Sequence, residues 1–288
     1  MDEKDFELLR VLDETRNITH AADRLYITQS ALSKRIKGIE QELGIELLIR
    51  SRQGIRFTPA GELVLQRSLA AAKELENLRE LLSVSGTELT GTLHAGVSIN
   101  YAQYRLPDTL AAYHKQYPKV KLHITTGQSR HIYRQLQDGG LDVAILRGEY
   151  PWDGERFMLS EEKLCVICRR EDADKPLGEL LYIDHETDPS LAGLVAQWMR
   201  ENGLNVGHAG ICVDSISACM EMVRRGLGWG LLPEICLSDF EGCVRPCVFA
   251  NGEPFVRRTW LLFQQEAVRL PQVSAFVEAI KHRHMQGV

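Results

Sequence analysis

Residues 18–44 constrain this chain more than any other stretch. Thr28 is a capping hydroxyl, Gly44 a helix terminator, and no proline lies between them, so a helix from Gln29 to about Leu43 is predicted. Leu32, Ile36, Ile39 and Leu43 recur at i, i+4, i+7 and i+11 and make one apolar face. Ser30, Ser33, Lys34 and Lys37 recur at i, i+3, i+4 and i+7 on another. Just upstream, Ala21 and Ala22 allow a preceding helix to cross closely, and Leu25 and Ile27 bracket a short turn. Two helices joined so tightly predict a helix-turn-helix over about residues 18–37.

The polar face has the chemistry of a major-groove reader. Gln29 can pair bidentately with adenine, Ser30 and Ser33 suit either base type, and Lys34 and Lys37 reach guanine edges or phosphates. The whole chain carries a formal net charge of -5, which argues against a protein coated in positive potential. Locally the balance reverses: residues 28–58 hold Lys34, Arg35, Lys37, Arg50, Arg52 and Arg56 against Glu40, Glu42 and Glu46. With Thr28 at the cap, these cations and polar residues form the candidate DNA-contacting set. A solvated amphipathic helix would account for the charges alone. It does not account for cap, alanine pair, turn spacing and a following basic wing together.

Phe6, Leu9 and Leu12 predict a first helix, and Asn17 or Thr19 can cap the second. Residues 45–57, with Gly54 at their centre, read as a two-stranded wing. Thr58-Pro59 starts a long helix to about Leu82. Its stripe of Leu65, Leu69, Ala72, Leu75, Leu78 and Leu82 suits a partner helix from a second chain or, alternatively, the helix's own domain. Residues 83–90 are a polar hinge, and beyond them strand-like and helix-like segments alternate, which predicts a doubly wound α/β architecture. Strands are predicted at 91–98, 120–125, 142–146, 164–168, 210–213 and 260–263, with helices at 106–117, 129–138, 191–202 and 215–225. The domains read as 1–58, 59–90 and 91–288.

The acidic N-terminus has no secretory pattern and no segment has a membrane-spanning apolar length, so a cytoplasmic protein is expected. Seven cysteines, all in the C-terminal half, suit reduced thiols better than a disulfide framework. Cys165 and Cys168 have CxxC spacing but lie in one apolar strand, where residues three apart face opposite sides and cannot converge on a metal. HEXXH, GxSxG and Walker patterns are absent, and Gly226-Leu-Gly-Trp-Gly230 follows a helix, the wrong order for a dinucleotide fingerprint. Neither catalysis, nor a metal, nor a resident cofactor is expected.

The run Ala21-Ala22, Leu25, Thr28-Gln29-Ser30-Ala31-Leu32-Ser33, Ile36, Ile39-Glu40, Leu43-Gly44, Leu47-Leu48 and Arg50, followed by Thr58-Pro59-Ala60-Gly61, closely resembles the LysR-type transcriptional regulators of bacteria. Weaker matches continue at Leu106-Pro107, Pro118, residues 140–145 and residues 226–233. Leu48, Ser30 and Ile39 depart mildly from the family's usual residues, and Gly38 lies in mid-helix at a cost of about 1 kcal/mol. The resemblance implies an N-terminal all-α winged helix-turn-helix, a dimerising linker helix, and a C-terminal α/β sensor of two lobes like periplasmic solute-binding proteins. Lobe 1 would be about 91–160 plus 266–288, and lobe 2 about 161–265. It also implies promoter DNA with interrupted dyad symmetry, dimers assembling to tetramers, and RNA polymerase as a further partner.

By that layout a small effector sits between the lobes. The matching positions are Ser98 and Asn100, then Thr126, Gly127, Gln128 and Ser129, Leu146 and Arg147, and Asp214 with Ser215. Helix N-termini, hydroxyls and Arg147 suit an anionic metabolite. The alternative is that the serines only cap helices and Arg147 pairs with Glu149.

Overall fold

The computed structural model describes residues 1–51, 54–83, 88–204 and 209–285, and the chain divides into two compact units, residues 1–87 with 137–141 and residues 88–136 with 142–288. In the first unit α1 spans Glu3–Thr15, α2 Ile18–Arg24 and α3 Gln29–Leu43. Each begins on the side chain that its sequence supplies. Asp2 and Asp5 form a capping box, Asn17 accepts the Thr19 and His20 N–H groups, and Thr28 accepts that of Ala31. Gly44, at φ 68°, ends α3 in the left-handed region. Leu9, Leu12, Ala21, Ala22, Leu32, Ile36 and Ile39 share one core with Leu47 and Phe57. Leu43 departs from the expected apolar face: in the last turn of α3 it stands 40% exposed.

The wing pairs β1 (Leu48–Ser51) with β2 (Gly54–Phe57), antiparallel, Leu48 opposite Phe57. Gly54 opens β2 instead of centring the turn. Its φ of 118° and a would-be Cβ only 2.5 Å from the Arg16 carbonyl oxygen both demand glycine. Helix α4 (Pro59–Ser83) packs against α1. Leu65 is buried and Leu69 packs on the same core, so the near end of the stripe serves its own unit, while Leu78 is half exposed. The Leu82 side chain lies outside the described residues, as does Arg52 of the wing.

The second unit contains β3 (Gly91–Ser98), α5 (Ile99–Tyr104), α6 (Leu106–Gln116), β4 (Val120–Gly127), α7 (Ser129–Gln137), β5 (Val143–Arg147) and β6 (Glu155–Cys168). Then come β7 (Tyr182–His185), α8 (Pro189–Glu201), β8 (Ala209–Val213), α9 (Ile216–Arg224), β9 (Gly230–Pro233), β10 (Cys243–Pro246), β11 (Val256–Phe263) and α10 (Pro271–Met285). Strands β4, β3 and β5 are parallel, as alternation predicts, but β11 runs antiparallel to both β5 and β6, so the sheet is mixed.

The strands expected at 164–168 and 260–263 are the apolar ends of the longer β6 and β11, and all of β11 pairs with the polar half of β6, Glu155 to Lys163. The far end of β6 instead pairs with β9 and β10. These two strands therefore connect the lobes. Lobe 1 closes over Val97, Ile145 and Phe276, and lobe 2 has a core on each side of β6. Cys168 sits in one of these cores and Cys165 in the other, as the strand argument requires.

Candidate DNA-reading face and effector cleft

On α3 the core face points inward and leaves Gln29, Ser30, Lys34 and Lys37 exposed, with Ser33 half-buried. Lys34, Lys37, Arg50 and Arg56 make no ion pair among the described residues, so four cations are free for phosphate or base edges. Thr28 Oγ1 accepts the Ala31 N–H at 3.2 Å and lies 3.1 Å from Ser30 Oγ, which fixes both at the entry of the helix.

Arg35 differs from the other cations of the set. It sits one position off the polar face, and its Nε and Nη2 each reach an oxygen of the buried Asp5 carboxylate at 2.5 Å. Burial alone would push that carboxyl up; the hydrogen bonds and charge of Arg35 and the Asp2 N–H outweigh it and hold Asp5 below the ordinary carboxylate range. Arg35→Ala is therefore expected to loosen the docking of α1 on α3 by about 1–2 kcal/mol and leave base preference unchanged. Because the folded pKa is lowered, the contribution is complete above the unfolded value near 3.8 and fades as pH falls through the lower folded one. Hydrogen exchange of the α1 amides at pH 7 and pH 3 reads both effects.

Sequence reasoning missed Tyr26. It stands in the turn between α2 and α3, is 96% exposed, and holds φ at 56°, a conformation that bulky residues seldom adopt. The only sequence signal is an aromatic residue inside a turn.

In the second unit, a cleft of about 230 Å³ gathers Ser98, Asn100, Gly127, Gln128, Ser129, Arg147, Asp214 and Ser215. Thr126 and Leu146 do not line it: Thr126 is exposed and Leu146 is fully buried. Ser215 caps α9 by accepting the Ala218 N–H, and Ser129 Oγ accepts the Arg147 N–H at 3.0 Å. Ser98 makes no capping bond; its Oγ is buried without a partner.

Arg147 pairs not with Glu149 but with Glu162 of β6, Nη2 to Oε2 at 3.2 Å, and both side chains are buried. Burial pulls the Arg147 pKa below its usual value, opposed by the Glu162 charge. Glu149 turns instead to Arg156 and Arg258.

Also unforeseen were His185, Asp188 and Arg257, all on the cleft wall. Asp188 caps α8 through the Leu191 N–H and is ion-paired with Arg257, whose Nη2 also donates to the Arg147 carbonyl at 3.2 Å. His185 is buried with Nδ1 unpartnered, and burial pulls its pKa down. Four buried side-chain atoms thus converge on one cleft with hydrogen-bonding capacity to spare: Ser98 Oγ, Arg147 Nε, His185 Nδ1 and Arg257 Nε.

The cysteines are mostly core residues. Burial pushes the Cys165 thiol up to about 11 and those of Cys219, Cys236 and Cys247 to about 12, so all four are protonated near neutral pH.

Residues 4–62 match the family described as "Bacterial regulatory helix-turn-helix protein, lysR family", and residues 86–284 match "LysR substrate binding domain". The chain is 35% identical to the HTH-type transcriptional regulator YraN of Bacillus subtilis, over 99% of both proteins. It is 34% identical to the DNA-binding transcriptional dual regulator OxyR of Escherichia coli, over 98% of this chain and 96% of that one. Among solved structures it resembles full-length OxyR from Pseudomonas aeruginosa, at 20% identity, TM-score 0.68 and 98% and 95% coverage. It also resembles full-length CbnR complexed with its target DNA, at 18% identity, TM-score 0.68 and 98% and 99% coverage.

Proposed function

The chain belongs to the LysR family of DNA-binding transcriptional regulators, and we propose that a small anionic metabolite between the two lobes of its sensor unit sets how it acts on promoter DNA. The observation that carries the effector reading is the convergence of Ser98 Oγ, Arg147 Nε, His185 Nδ1 and Arg257 Nε, buried and unpartnered, on one cleft. Orphaned buried polar groups cost free energy, and a ligand that offers acceptors, such as a carboxylate, recovers it. No resident cofactor or metal takes part, and the chain does no catalysis. Calorimetry of small carboxylates against the wild type and Ser98→Ala tests this; equal affinities for every acid that binds would remove Ser98 from the site.

At the DNA, Gln29, Ser30 and Ser33 read base edges while Lys34, Lys37, Arg50, Arg52 and Arg56 engage phosphates or guanine. Gln29→Ala is expected to weaken the preferred site about tenfold and relax its sequence preference. Arg56→Ala is expected to weaken all sequences alike and reduce the salt slope by about one. Tyr26, beside the helix entry, packs against the sugar-phosphate backbone. Tyr26→Gly relieves the left-handed backbone at no cost to stability while DNA affinity falls. Binding titrations across salt concentrations, paired with melting curves, separate these cases.

Two copies pair through the exposed end of α4 around Leu78 and present two reading heads to an interrupted dyad, with tetramers and RNA polymerase contact as further steps. No helix among the described residues is long and apolar enough to cross a membrane; binding promoter DNA is a task of the cytoplasm.

A further inference from the structure

A second cavity adjoins the cleft. It measures about 370 Å³ and lies under α8, with Leu164 of β6 and Leu231 of β9 as its floor and Val195, Ala196 and Met199 of α8 as its roof. His185, Thr187 and Leu191 line both spaces, so the cavity and the cleft meet at these three residues. Protein interiors are close-packed, and an apolar cavity of about 150 Å³ is enough for a benzene ring, so the space under α8 holds a hydrocarbon group with room for its linker.

Inside this cavity the Tyr182 hydroxyl and one oxygen of Asp184 are already committed to each other. The Asp184 carboxylate accepts the Tyr182 hydroxyl at 3.0 Å and the His185 N–H at 2.9 Å. Among the described residues, the one side-chain polar atom on its wall that is buried and lacks a partner is His185 Nδ1, at the junction with the cleft. A polar ligand would find nothing to bond along the Leu164, Leu231 and Met199 walls, and would forfeit its own hydration there. An apolar group gains by leaving water at the same place. Polarity is thus graded along one path, from the cleft with its orphaned donors, through His185, to an aliphatic chamber.

We infer that the effector is a carboxylate with an apolar tail of about five to eight carbons, aromatic or branched, its head in the cleft and its tail under α8. This rests on the reading of the cleft as an anion site and adds the second half of the ligand.

Calorimetry on the full chain with acetate, 4-methylpentanoate, phenylacetate and phenylacetamide tests it. The two tailed acids are expected to bind at least about thirtyfold tighter than acetate, from the apolar area that they bury. Ala196→Phe fills the chamber and is expected to bring both tailed acids to within about threefold of acetate, with acetate itself unchanged. Should Ala196→Phe fail to fold, Ala192→Phe at the exposed mouth blocks entry and gives the same result. Equal affinities for acetate and the tailed acids, or a preference that survives both substitutions, would overturn the tail site and leave the cleft reading standing. Phenylacetamide binding as tightly as phenylacetate would overturn the carboxylate head. If none of the three acids binds, both halves fall.

Discussion

Arg147→Ala is expected to destabilise the sensor unit by about 3–5 kcal/mol, the range for stranding one member of a buried ion pair. Arg147 ends β5 at 4% exposure, and Glu162, its partner on β6, is 8% exposed. Each is nearly out of water, so losing one leaves the other's charge poorly compensated. Among the described residues Glu162 has one further bond to lean on, from the Ile235 N–H at 3.2 Å. Replacing both residues, as Arg147→Met with Glu162→Leu, removes the stranded charge and is expected to recover most of the loss. Hydrogen exchange of the β5 and β6 amides reads the unit directly; a loss under about 1 kcal/mol in Arg147→Ala would mean that water already reaches the pair. The same geometry decides how a ligand role for Arg147 must be probed. Alanine confounds folding with binding, whereas Glu162→Gln keeps the volume and releases the guanidinium. If Arg147 clamps an anion, Glu162→Gln tightens carboxylate binding.

The reading head was legible because its determinants are local. A cap, an alanine pair, a 3.6-residue period and a terminal glycine act within one or two turns, and Thr28, Leu32, Ile36 and Gly44 hold the places that their types predict. The sensor's alternation was legible for the same reason, but the cleft is not local. Its wall brings together Ser98, Arg147, His185, Ser215 and Arg257 from five separate segments, and periodicity does not report such an encounter. Leu146 and Thr126 missed the cleft for one reason: each sits on a strand beside a residue that does line it, and neighbours on a strand face opposite ways. The long crossover strands escaped notice because the polar half of β6, Glu155 to Lys163, alternates weakly, while only its apolar end looks like a strand. Arg35 shows the same limit from the other side: its charge is legible in the sequence, but its pairing with a buried carboxylate thirty residues away is not.

Gly61 and Gly38 make a paired test of what two glycines do on neighbouring helices. A Cβ built at Gly61 falls 2.2 Å from the Leu47 carbonyl oxygen and 3.0 Å from its carbon, both backbone atoms that no rotamer change can move. Three bonds pin that approach: Thr58 N–H to the Leu47 carbonyl at 2.9 Å, Thr58 Oγ1 to the Glu46 carbonyl at 2.6 Å, and the Gly61 N–H to Thr58 Oγ1 at 2.9 Å. Thr58-Pro59-Ala60-Gly61 is therefore one device, in which the hydroxyl caps α4 and the missing side chain lets its first turn lie against the strand that leads into the wing. Gly61→Val is expected to cost about 3 kcal/mol or more, since the helix must move off and break those bonds. At Gly38 no described atom lies within 4 Å of the added carbon and the backbone is helical, so Gly38→Ala removes only conformational freedom from the unfolded chain. It is expected to stabilise the reading head by about 0.5–1 kcal/mol. Melting curves of the two variants should move in opposite directions. A neutral or stabilising shift in Gly61→Val would show that the close approach does not govern how α4 leaves the domain, and a destabilising one in Gly38→Ala would show that Gly38 does more than add freedom to the unfolded chain.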